Sequence, residues 1–475
     1  MKTEILIIGG GASGLMAAYG AANTLVESGV DAQVTVLEKM PRPGRKIMIT
    51  GKGRCNFTNL KDWNEFSGHI RSKSNFVKSA FYNLTSQGVL DFFEKFGMQT
   101  VVERGDRAFP ASYHASDVVD TLVSACQSLG VKLLTEREVV SVESTDKGFE
   151  VTTESSAYGV ESEKWICSKL IVATGGLSYP NTGSTGDGYK WAAELGHKIV
   201  PCFPSLTAMV PKGYKDTEDA EPEQVPLNVA TPSAEMYRRF HIDRSMPLSE
   251  VGKALCGIQL KNIGLTLEVE GTIAENEFGD IDFTDGGIEG PIGFQVSRKC
   301  VKSLINGSRV SVVLDLKPGV PLTELMERIQ TLWKEVDKDP RSARLREKEK
   351  CRVLLGKLMP WDLIPAFRAC HPEIMTLEHR GREKTKVWVN LLNIAKALKG
   401  WRFDIAGYVG YERCVVTAGG VSTDDLIAKT LESRVVPGMY FVGEVLDVDS
   451  DTGGYNLQTA FSTGMLAGIS AAKSL

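Results

Sequence analysis

Three glycines near the start of the chain have the spacing of a dinucleotide-binding turn. A short apolar run, Ile5 to Ile8, leads directly into Gly9, Gly11 and Gly14. In such a turn the first glycine lets the strand bend, the second lets a pyrophosphate approach the backbone, and the third lets the next helix pack closely. The free N–H groups and positive dipole end of that helix attract phosphates. The pattern therefore indicates a dinucleotide site.

The residues that follow complete a strand, helix, strand unit. Apolar residues recur at helical spacing over residues 15–26, and residues 33–37 have the composition of a strand that ends at Glu38. A carboxylate at this position accepts hydrogen bonds from both ribose hydroxyls and would repel a ribose 2′-phosphate. We therefore expect the adenosine half of the ligand to be unphosphorylated.

Length and composition limit the class of protein. A chain of 475 residues predicts two or three domains. Lys and Arg total 55 against 59 Asp and Glu, so the overall charge offers no general attraction for nucleic acid or an acidic membrane. In the charged run 337–350 acids and bases alternate, which favours a solvated helix face over a nucleic-acid surface. With no apolar stretch of about 18 residues, we predict a cytoplasmic protein without a membrane partner.

Nine cysteines are scattered along the chain without a Cys-x-x-Cys pair. This spacing excludes a zinc ribbon and a thioredoxin-type redox pair, and it fits a reducing compartment. Most of these cysteines are expected to be small buried residues.

The last eighth of the chain contains a second motif that could do chemistry. Asp447, Asp449 and Asp451 suggest a calcium loop, but Thr452 stands where that loop needs glycine and Gln458 where it needs glutamate. We therefore predict no metal site.

A ligand contact explains this segment better than calcium does. Gly453, Gly454 and the helix that follows can direct backbone N–H groups at a partly negative ligand atom, while Asp447 binds a polyol. Two glycine-rich turns at opposite ends of the chain suit FAD, with adenosine at Glu38, pyrophosphate at the first helix and isoalloxazine at the second turn. Because there is no second Gly-x-Gly-x-x-Gly unit, NAD(P)H is expected only as a transient electron donor.

Five segments together resemble a known family. They are Gly-Gly-Gly-Ala-Ser-Gly at 9–14, Gly-Lys-Gly-Arg-Cys-Asn-Phe-Thr-Asn at 51–59, Ala-Thr-Gly-Gly at 173–176, Gly-Glu-Val-Leu-Asp at 443–447 and Thr-Gly-Gly-Tyr-Asn-Leu-Gln at 452–458. Over nearly its full length the chain resembles the BaiN-like NAD(P)/FAD-dependent oxidoreductases. That family has a flavin domain split by an insert, is similar in its flavin fold to fumarate reductase flavoproteins, and includes reductases of activated carbon–carbon double bonds.

The resemblance implies an α/β fold, in which a Rossmann-like FAD-binding domain is interrupted by a β-rich insert domain with an added helical part. We place the FAD-binding domain at 1–195 and 403–475, and the insert at 196–402, β-rich over 196–320 and helical over 321–402. Carried over, non-covalent FAD is lined by Gly9, Gly11, Ala12, Ser13, Gly14, Glu38, Lys39, Lys46, Arg54, Cys55, Asn56, Thr174, Gly175, Gly443, Glu444, Asp447, Gly454, Asn456 and Leu457. Val139 would offer backbone hydrogen bonds to adenine.

Two residues carry open alternatives. Cys55 is a packing residue, a redox thiol that Lys52 and Arg54 would activate, or a covalent attachment point. Glu289 stands where the family commonly has serine in Gly-Leu-Ser-Gly-Pro; it either faces the substrate, which the kinetics of Glu289→Gln would test, or lies in an exposed loop. The basic cluster formed by Arg42, Arg45, Lys46, Lys52 and Arg54 would stabilise reduced flavin or remain a solvated loop.

We therefore expect an FAD-dependent oxidoreductase that passes hydride from flavin N5 to an electron-poor alkene or related small molecule. No residue is assigned as proton donor. The alternatives are a flavin-dependent tRNA-modifying enzyme, which the near-neutral charge disfavours, and a flavin-bound sensor without turnover.

Overall fold

The computed structural model describes residues 1–154, 162–216, 239–378 and 386–475. These residues form two compact units. The first contains the described residues up to Ser205 and from Tyr411 to Leu475, and the second contains the described residues between Leu206 and Gly410. In sequence, the second unit is therefore an insertion within the first. The domain boundaries predicted at residues 195 and 402 stay a prediction.

The first unit is built around a seven-stranded sheet. The strands of the unit, including those outside this sheet, are β1 (Lys2–Ile8), β2 (Val34–Leu37), β3 (Thr58–Asn59), β4 (Thr100–Glu103), β5 (Arg107–Pro110), β6 (Lys132–Leu134), β7 (Glu138–Thr145), β8 (Gly148–Glu154), β9 (Glu163–Val172), β10 (Ile199–Ser205), β19 (Val416–Val421) and β20 (Met439–Phe441). The main sheet has the order β6-β2-β1-β9-β8-β7, and β20 also pairs with β9. Strands β6, β2, β1, β9 and β20 are parallel, whereas β7 and β8 are antiparallel additions.

The helices of the first unit cover this sheet. They are α1 (Ala12–Ser28), α2 (Arg45–Ile49), α3 (Trp63–Phe66), α4 (Ser74–Asn83), α5 (Ser86–Lys95), α6 (Ala115–Ser128), α7 (Asp187–Glu194) and α14 (Tyr455–Lys473). Residues 5–8 of β1 and 170–172 of β9 are buried, as is typical of a parallel sheet covered on both faces.

Helices α1 and α14 pack backbone against backbone. A Cβ atom at Gly464 would lie 2.2 Å from the carbonyl oxygen of Ser13, and one at Gly468 would lie 2.1 Å from that of Ala17. Only glycine fits at these positions, because real Cβ atoms do not approach backbone so closely. This packing holds the C-terminal helix beside the N-terminal turn.

The second unit contains a closed six-stranded barrel. The strands of the unit are β11 (Met209–Pro211), β12 (Gln259–Val269), β13 (Thr272–Thr284), β14 (Gly287–Glu289), β15 (Val310–Asp315), β16 (Met375–Glu378), β17 (Lys386–Val389) and β18 (Trp401–Tyr408). The barrel has the order β11-β14-β13-β12-β15-β18. Its helices are α8 (Glu250–Leu255), α9 (Pro291–Ile305), α10 (Leu322–Lys338), α11 (Glu347–Gly356), α12 (Ile364–Cys370) and α13 (Leu391–Lys399). Strand β18 alternates buried and exposed side chains, as a barrel wall requires.

The predicted fold class is confirmed. Residues 74–95 form two helices, α4 and α5, because Thr85 caps the second and accepts a hydrogen bond from the N–H of Gly88 at 3.1 Å. Strand β6 pairs with β2 and extends the parallel part of the sheet. Among the described residues, no helix combines the length and apolar composition needed to cross a bilayer.

Candidate functional site

The glycines of the N-terminal turn have different structural roles. A Cβ atom at Gly9 (φ +106°) would lie 2.4 Å from the carbonyl oxygen of Ala173, and one at Gly14 would lie 1.9 Å from that of Gly9. These two glycines are required by the packing of β1, α1 and β9. A Cβ atom at Gly11 would meet no protein atom within 4 Å. Protein packing therefore does not explain glycine at this position, whereas close approach of a ligand does.

Helix α1 begins at this turn without any compensating side chain. Gly11 is its N-cap, no side chain caps the first turn, and that turn contains no acidic residue. The N–H groups at Ala12 and Ser13 and the positive end of the helix dipole are therefore available to an anion.

Glu38 lies at the end of β2 with its carboxylate held in place. One oxygen accepts the N–H of Gly10 and the other that of Met40, each at 2.8 Å. Burial raises the pKa of Glu38, and the two backbone hydrogen bonds partly oppose this effect. Each carboxylate oxygen keeps a second lone pair, so the group can still accept ribose hydroxyls. The Glu38 carbonyl accepts the N–H of Arg137 at 3.0 Å, and Val139 lies two residues further along the chain, in β7.

The partly buried carboxylate of Glu444 links three segments of the chain. It forms an ion pair with Lys46 at 2.9 Å, and it also accepts hydrogen bonds from the hydroxyl of Ser178 and from the N–H of Thr417. Burial by itself would raise the pKa of Glu444. The charge of Lys46 and the hydrogen bonds outweigh it, so the pKa lies below its usual value.

Ser178 and Thr417 complete the cluster around Glu444, and the sequence motifs did not identify either residue. Ser178 ends the segment Gly-Gly-Leu-Ser, which is echoed by Gly-Gly-Val-Ser at 419–422, and that echo was the available signal. The Thr417 hydroxyl accepts the N–H groups of Leu177 and Ser178 at 2.8 and 3.1 Å. Gly175 lies next to the same cluster, since a Cβ there would be 3.7 Å from the Lys46 ammonium. Thr174 precedes it and packs against Gly9.

The C-terminal turn contacts both the first helix and the loop before β3. A Cβ at Gly443 would lie 2.5 Å from the Ser13 hydroxyl. One at Gly454, the N-cap of α14, would lie 2.5 Å from Thr58 backbone and 2.8 Å from Asn56 Oδ1. That Asn56 oxygen is buried and has no hydrogen-bond partner among the described residues. A buried amide oxygen without a donor indicates that a ligand supplies one.

The three aspartates of the C-terminal segment, Asp447, Asp449 and Asp451, are buried. Asp449 accepts the hydroxyls of Ser72 and Ser205, at 3.0 and 3.1 Å. Asp451 pairs with Arg71 and His69. Asp447 is 8% exposed. No group of three or more His, Cys, Asp or Glu side chains in the described part of the chain could hold a metal ion.

Asn456 and Leu457 shape the start of α14. The Asn456 amide accepts the N–H of Ser450 and donates to the carbonyls of Ser450 and Asp451, at 2.9 to 3.0 Å. Leu457 packs against the apolar core that α1 and α14 share. These contacts fix the turn in which Gly454 lies.

The basic cluster does not act as one block of free charge. Two of its five cations are paired, Lys46 with Glu444 and Arg54 with Glu103 at 2.5 Å. The Arg54 guanidinium also lies over two aromatic rings, at 4.7 and 4.4 Å from their centroids. Lys39, outside the cluster, pairs with Asp187 at 2.8 Å.

The suggestion that Lys52 and Arg54 activate Cys55 as a thiolate is wrong. The Cys55 side chain is wholly buried, and burial raises the pKa of its thiol to about 12. All nine cysteines carry free thiols. The structure favours the packing role for Cys55.

We expect iodoacetamide at pH 8 to leave Cys55 unlabelled in the native protein, because alkylation requires an accessible thiolate. Peptide mass spectrometry would quantify the labelling. The same protein unfolded in urea is the control and should be labelled fully. Rapid native labelling at Cys55 would contradict the packing role.

Glu289 is not in an exposed loop. It ends β14 and is 7% exposed, opposite Asp282 of β13. That Glu289 faces a substrate stays a prediction.

The residues of the first unit fit FAD. An extended dinucleotide would use four of their features. These are the space beside Gly11, the uncapped N-terminus of α1, the positioned carboxylate of Glu38 and the unsatisfied oxygen of Asn56. Lys39 and Arg54 engage neighbouring carboxylates. That Val139 contacts adenine stays a prediction.

This fold and site define a Rossmann-type flavoprotein, and the chain is an FAD-dependent oxidoreductase. The sequence model described as "HI0933-like protein Rossmann domain" matches residues 3–470. The chain belongs to that family, which confirms the resemblance found in its motifs.

Three curated relatives align over almost the whole chain. It is 30% identical over 476 residues to the 3-dehydro-bile acid delta(4,6)-reductase of Clostridium scindens, covering 99% of each protein. It is 29% identical to the ribosomal RNA dihydrouridine synthase of Haemophilus influenzae, covering 98% of each. It is also 29% identical to the enzyme of that name from Escherichia coli, covering 97% of this chain and 96% of the relative.

Proposed function

We propose that the chain binds FAD non-covalently and reduces a carbon–carbon double bond conjugated to a carbonyl group. The main support is the full-length similarity to a 3-dehydro-bile acid delta(4,6)-reductase. When bound, FAD would supply the hydride acceptor and donor for this chemistry. NAD(P)H is proposed as its transient source of electrons.

The proposed binding mode assigns a task to each part of the cradle. The carboxylate of Glu38 and the backbone of Val139 hold the adenosine, and the N-terminus of α1 at Gly11 binds the pyrophosphate. Asn56 and the N-terminus of α14 at Gly454 hold the polar edge of the ring system. The free thiols support a proposed cytoplasmic location.

The Lys46–Glu444 pair acts by positioning. Because Glu444 accepts hydrogen bonds from Ser178 and Thr417, it fixes the ammonium of Lys46 beside Gly175. A lysine held this way presents its positive charge in one place without reorganisation when negative charge develops nearby. No residue is assigned as the proton donor.

A second candidate is reduction of uracil within RNA. Two relatives are named ribosomal RNA dihydrouridine synthases, and they align over nearly the same length as the bile-acid reductase. The two reactions share their chemistry, since the uracil double bond is also conjugated to a carbonyl. The two candidate functions differ in the substrate that contains the double bond, which is a small ketone in the first and an RNA in the second.

An anaerobic acceptor experiment tests the proposal. We expect NADH or NADPH to bleach the visible absorbance of the holoprotein, and a steroid with a 3-keto-4-ene group to restore it with formation of the saturated ketone. The saturated ketone itself is the matched control and should restore nothing. In a second arm, dithionite-reduced protein is mixed with a uridine-containing transcript, and nucleoside mass spectrometry detects a gain of two hydrogen atoms.

The outcomes separate the alternatives. Reoxidation by the enone alone supports a small-molecule reductase, and dihydrouridine formation supports the RNA enzyme. If neither acceptor reoxidises the reduced protein, the reductase proposal fails and a flavin-bound sensor is favoured.

A further inference from the structure

The near-neutral charge of the whole chain conceals a basic region in the second unit. Residues 321–402 contain 18 Lys and Arg against 11 Asp and Glu, whereas the whole chain has 55 against 59. The density is greatest over residues 341–357, which carry seven basic and two acidic side chains. Charge asymmetry of this kind is typical of segments that contact a polyanion.

Four of those seven cations are neutralised locally. The pairs are Arg341–Asp339, Arg346–Glu349, Lys350–Asp337 and Lys357–Glu335, with distances of 2.6 to 3.4 Å. These residues are part of a solvated, ion-paired surface, as the alternating sequence predicts.

The other three cations, Arg344, Lys348 and Arg352, differ. All three are exposed, and in the described part of the chain none has an ion-pair partner. Lys348 and Arg352 lie one turn apart on α11, where like charges repel. Lys348 is also in the first turn, where the helix dipole disfavours a cation. This arrangement does not stabilise the helix, so an external anion is the natural partner.

An exposed indole lies beside one of these cations. The side chain of Trp361 is 53% exposed, and the guanidinium of Arg352 is 5.7 Å from its ring centroid. A Cβ atom at Gly356 would lie 2.4 Å from the indole, so glycine allows the ring to rest on the end of α11. An accessible indole next to an unpaired cation combines base stacking with phosphate attraction.

We propose that the surface formed by Arg344, Lys348, Arg352 and Trp361 binds single-stranded RNA. The cations contact phosphates, and the indole stacks on a base. An anionic membrane is a weaker fit, because the apolar face of α11 is already buried in the second unit and cannot enter a bilayer. The inference deepens the second proposed function, since it identifies what would hold an RNA substrate.

The test is fluorescence anisotropy of the holoprotein with a labelled single-stranded 20-nucleotide RNA at two salt concentrations. The salt slope is the change in the logarithm of the binding constant with the logarithm of the salt concentration. We expect the triple variant Arg344→Gln/Lys348→Gln/Arg352→Gln to reduce the magnitude of this slope by about 2, because each lost phosphate contact removes about 0.7 for a single strand. We expect Trp361→Ala to weaken binding by about 5- to 100-fold with an unchanged salt slope.

A matched variant separates this surface from general charge. Arg341→Gln/Arg346→Gln/Lys357→Gln removes the same charge from the same stretch, but from ion-paired residues, and should change the salt slope much less. Equal losses in the two triple variants would overturn the proposal. So would absence of RNA binding at low salt, or binding only to vesicles that contain anionic lipid.

Enone reduction is measured in parallel on every variant. An unchanged rate with impaired RNA binding supports the surface independently of the chemistry. Intact RNA binding in both triple variants would overturn the surface while leaving the reductase proposal standing.

Discussion

Replacing Gly11 with valine is expected to abolish FAD retention while leaving the free energy of unfolding of the flavin-free protein nearly unchanged. The backbone at Gly11 has φ −83° and ψ −168°, which any residue adopts, and a Cβ atom there meets no protein atom within 4 Å. The valine side chain would instead fill the space beside the N–H groups of α1. We expect FAD affinity to fall at least about 100-fold, or about 2.7 kcal/mol, with a stability change within about 0.5 kcal/mol.

Two other glycines give this experiment its controls. Gly319 is also open and lacks a positive φ, so Gly319→Val should leave both FAD affinity and stability intact. Gly14→Val should impair both, because its Cβ would lie 1.9 Å from the Gly9 carbonyl oxygen. Fluorescence titration with FAD and urea unfolding measure the two quantities. Wild-type FAD affinity in Gly11→Val would refute the proposed pyrophosphate position.

Removing the positive partner of Glu444 is expected to have the largest effect on stability. Lys46→Met leaves a carboxylate in a site where its side chain is only 18% exposed. Breaking a fully buried pair costs about 3–5 kcal/mol, and the partial exposure here reduces the expected loss to roughly 2–4 kcal/mol at pH 7. Urea unfolding with saturating FAD measures this loss. The double variant Lys46→Met/Glu444→Gln should recover part of it, because glutamine keeps an acceptor for Ser178 and Thr417 without the charge.

The pH dependence of the stability of the wild type and of Lys46→Met tests the direction of the Glu444 pKa shift. In the wild type, the pKa of Glu444 is lowered in the folded state, so its stabilising contribution is present above its unfolded pKa and is lost as pH falls through the folded value. In Lys46→Met, burial would instead raise that pKa. The stability deficit of the variant should therefore shrink as pH falls from 7 toward 5. A deficit that stays constant over this range would contradict an uncompensated Glu444 charge.

The sequence predicted the parts of the site that depend on local backbone geometry. Gly9 bends the chain at φ +106° and Gly14 packs against the Gly9 carbonyl, both within one strand–helix unit, and Glu38 directly follows the second strand, so spacing alone located them. The same holds for Gly454, which caps the last helix. These features are encoded over short stretches of chain, where glycine position and apolar periodicity are informative.

Long-range partners could not be predicted in the same way. Ser178 and Glu444 are 266 residues apart and meet because the strands that precede them, β9 and β20, pair in the sheet. Thr417, on β19, is 27 residues from Glu444 but 239 from Ser178. Burial likewise decided the state of Cys55, whose basic sequence neighbours suggested a reactive thiol. The total charge was equally uninformative about Arg344, Lys348 and Arg352, since ion pairing depends on which side chains meet in space.

Non-covalent FAD bound between the two glycine-rich turns is the central proposal, and acid precipitation of the purified holoprotein tests it most directly. We expect the supernatant to contain one FAD per chain and the precipitate to be colourless. A colourless protein that takes up no FAD on reconstitution, or a flavin that stays with the precipitated chain, would contradict it.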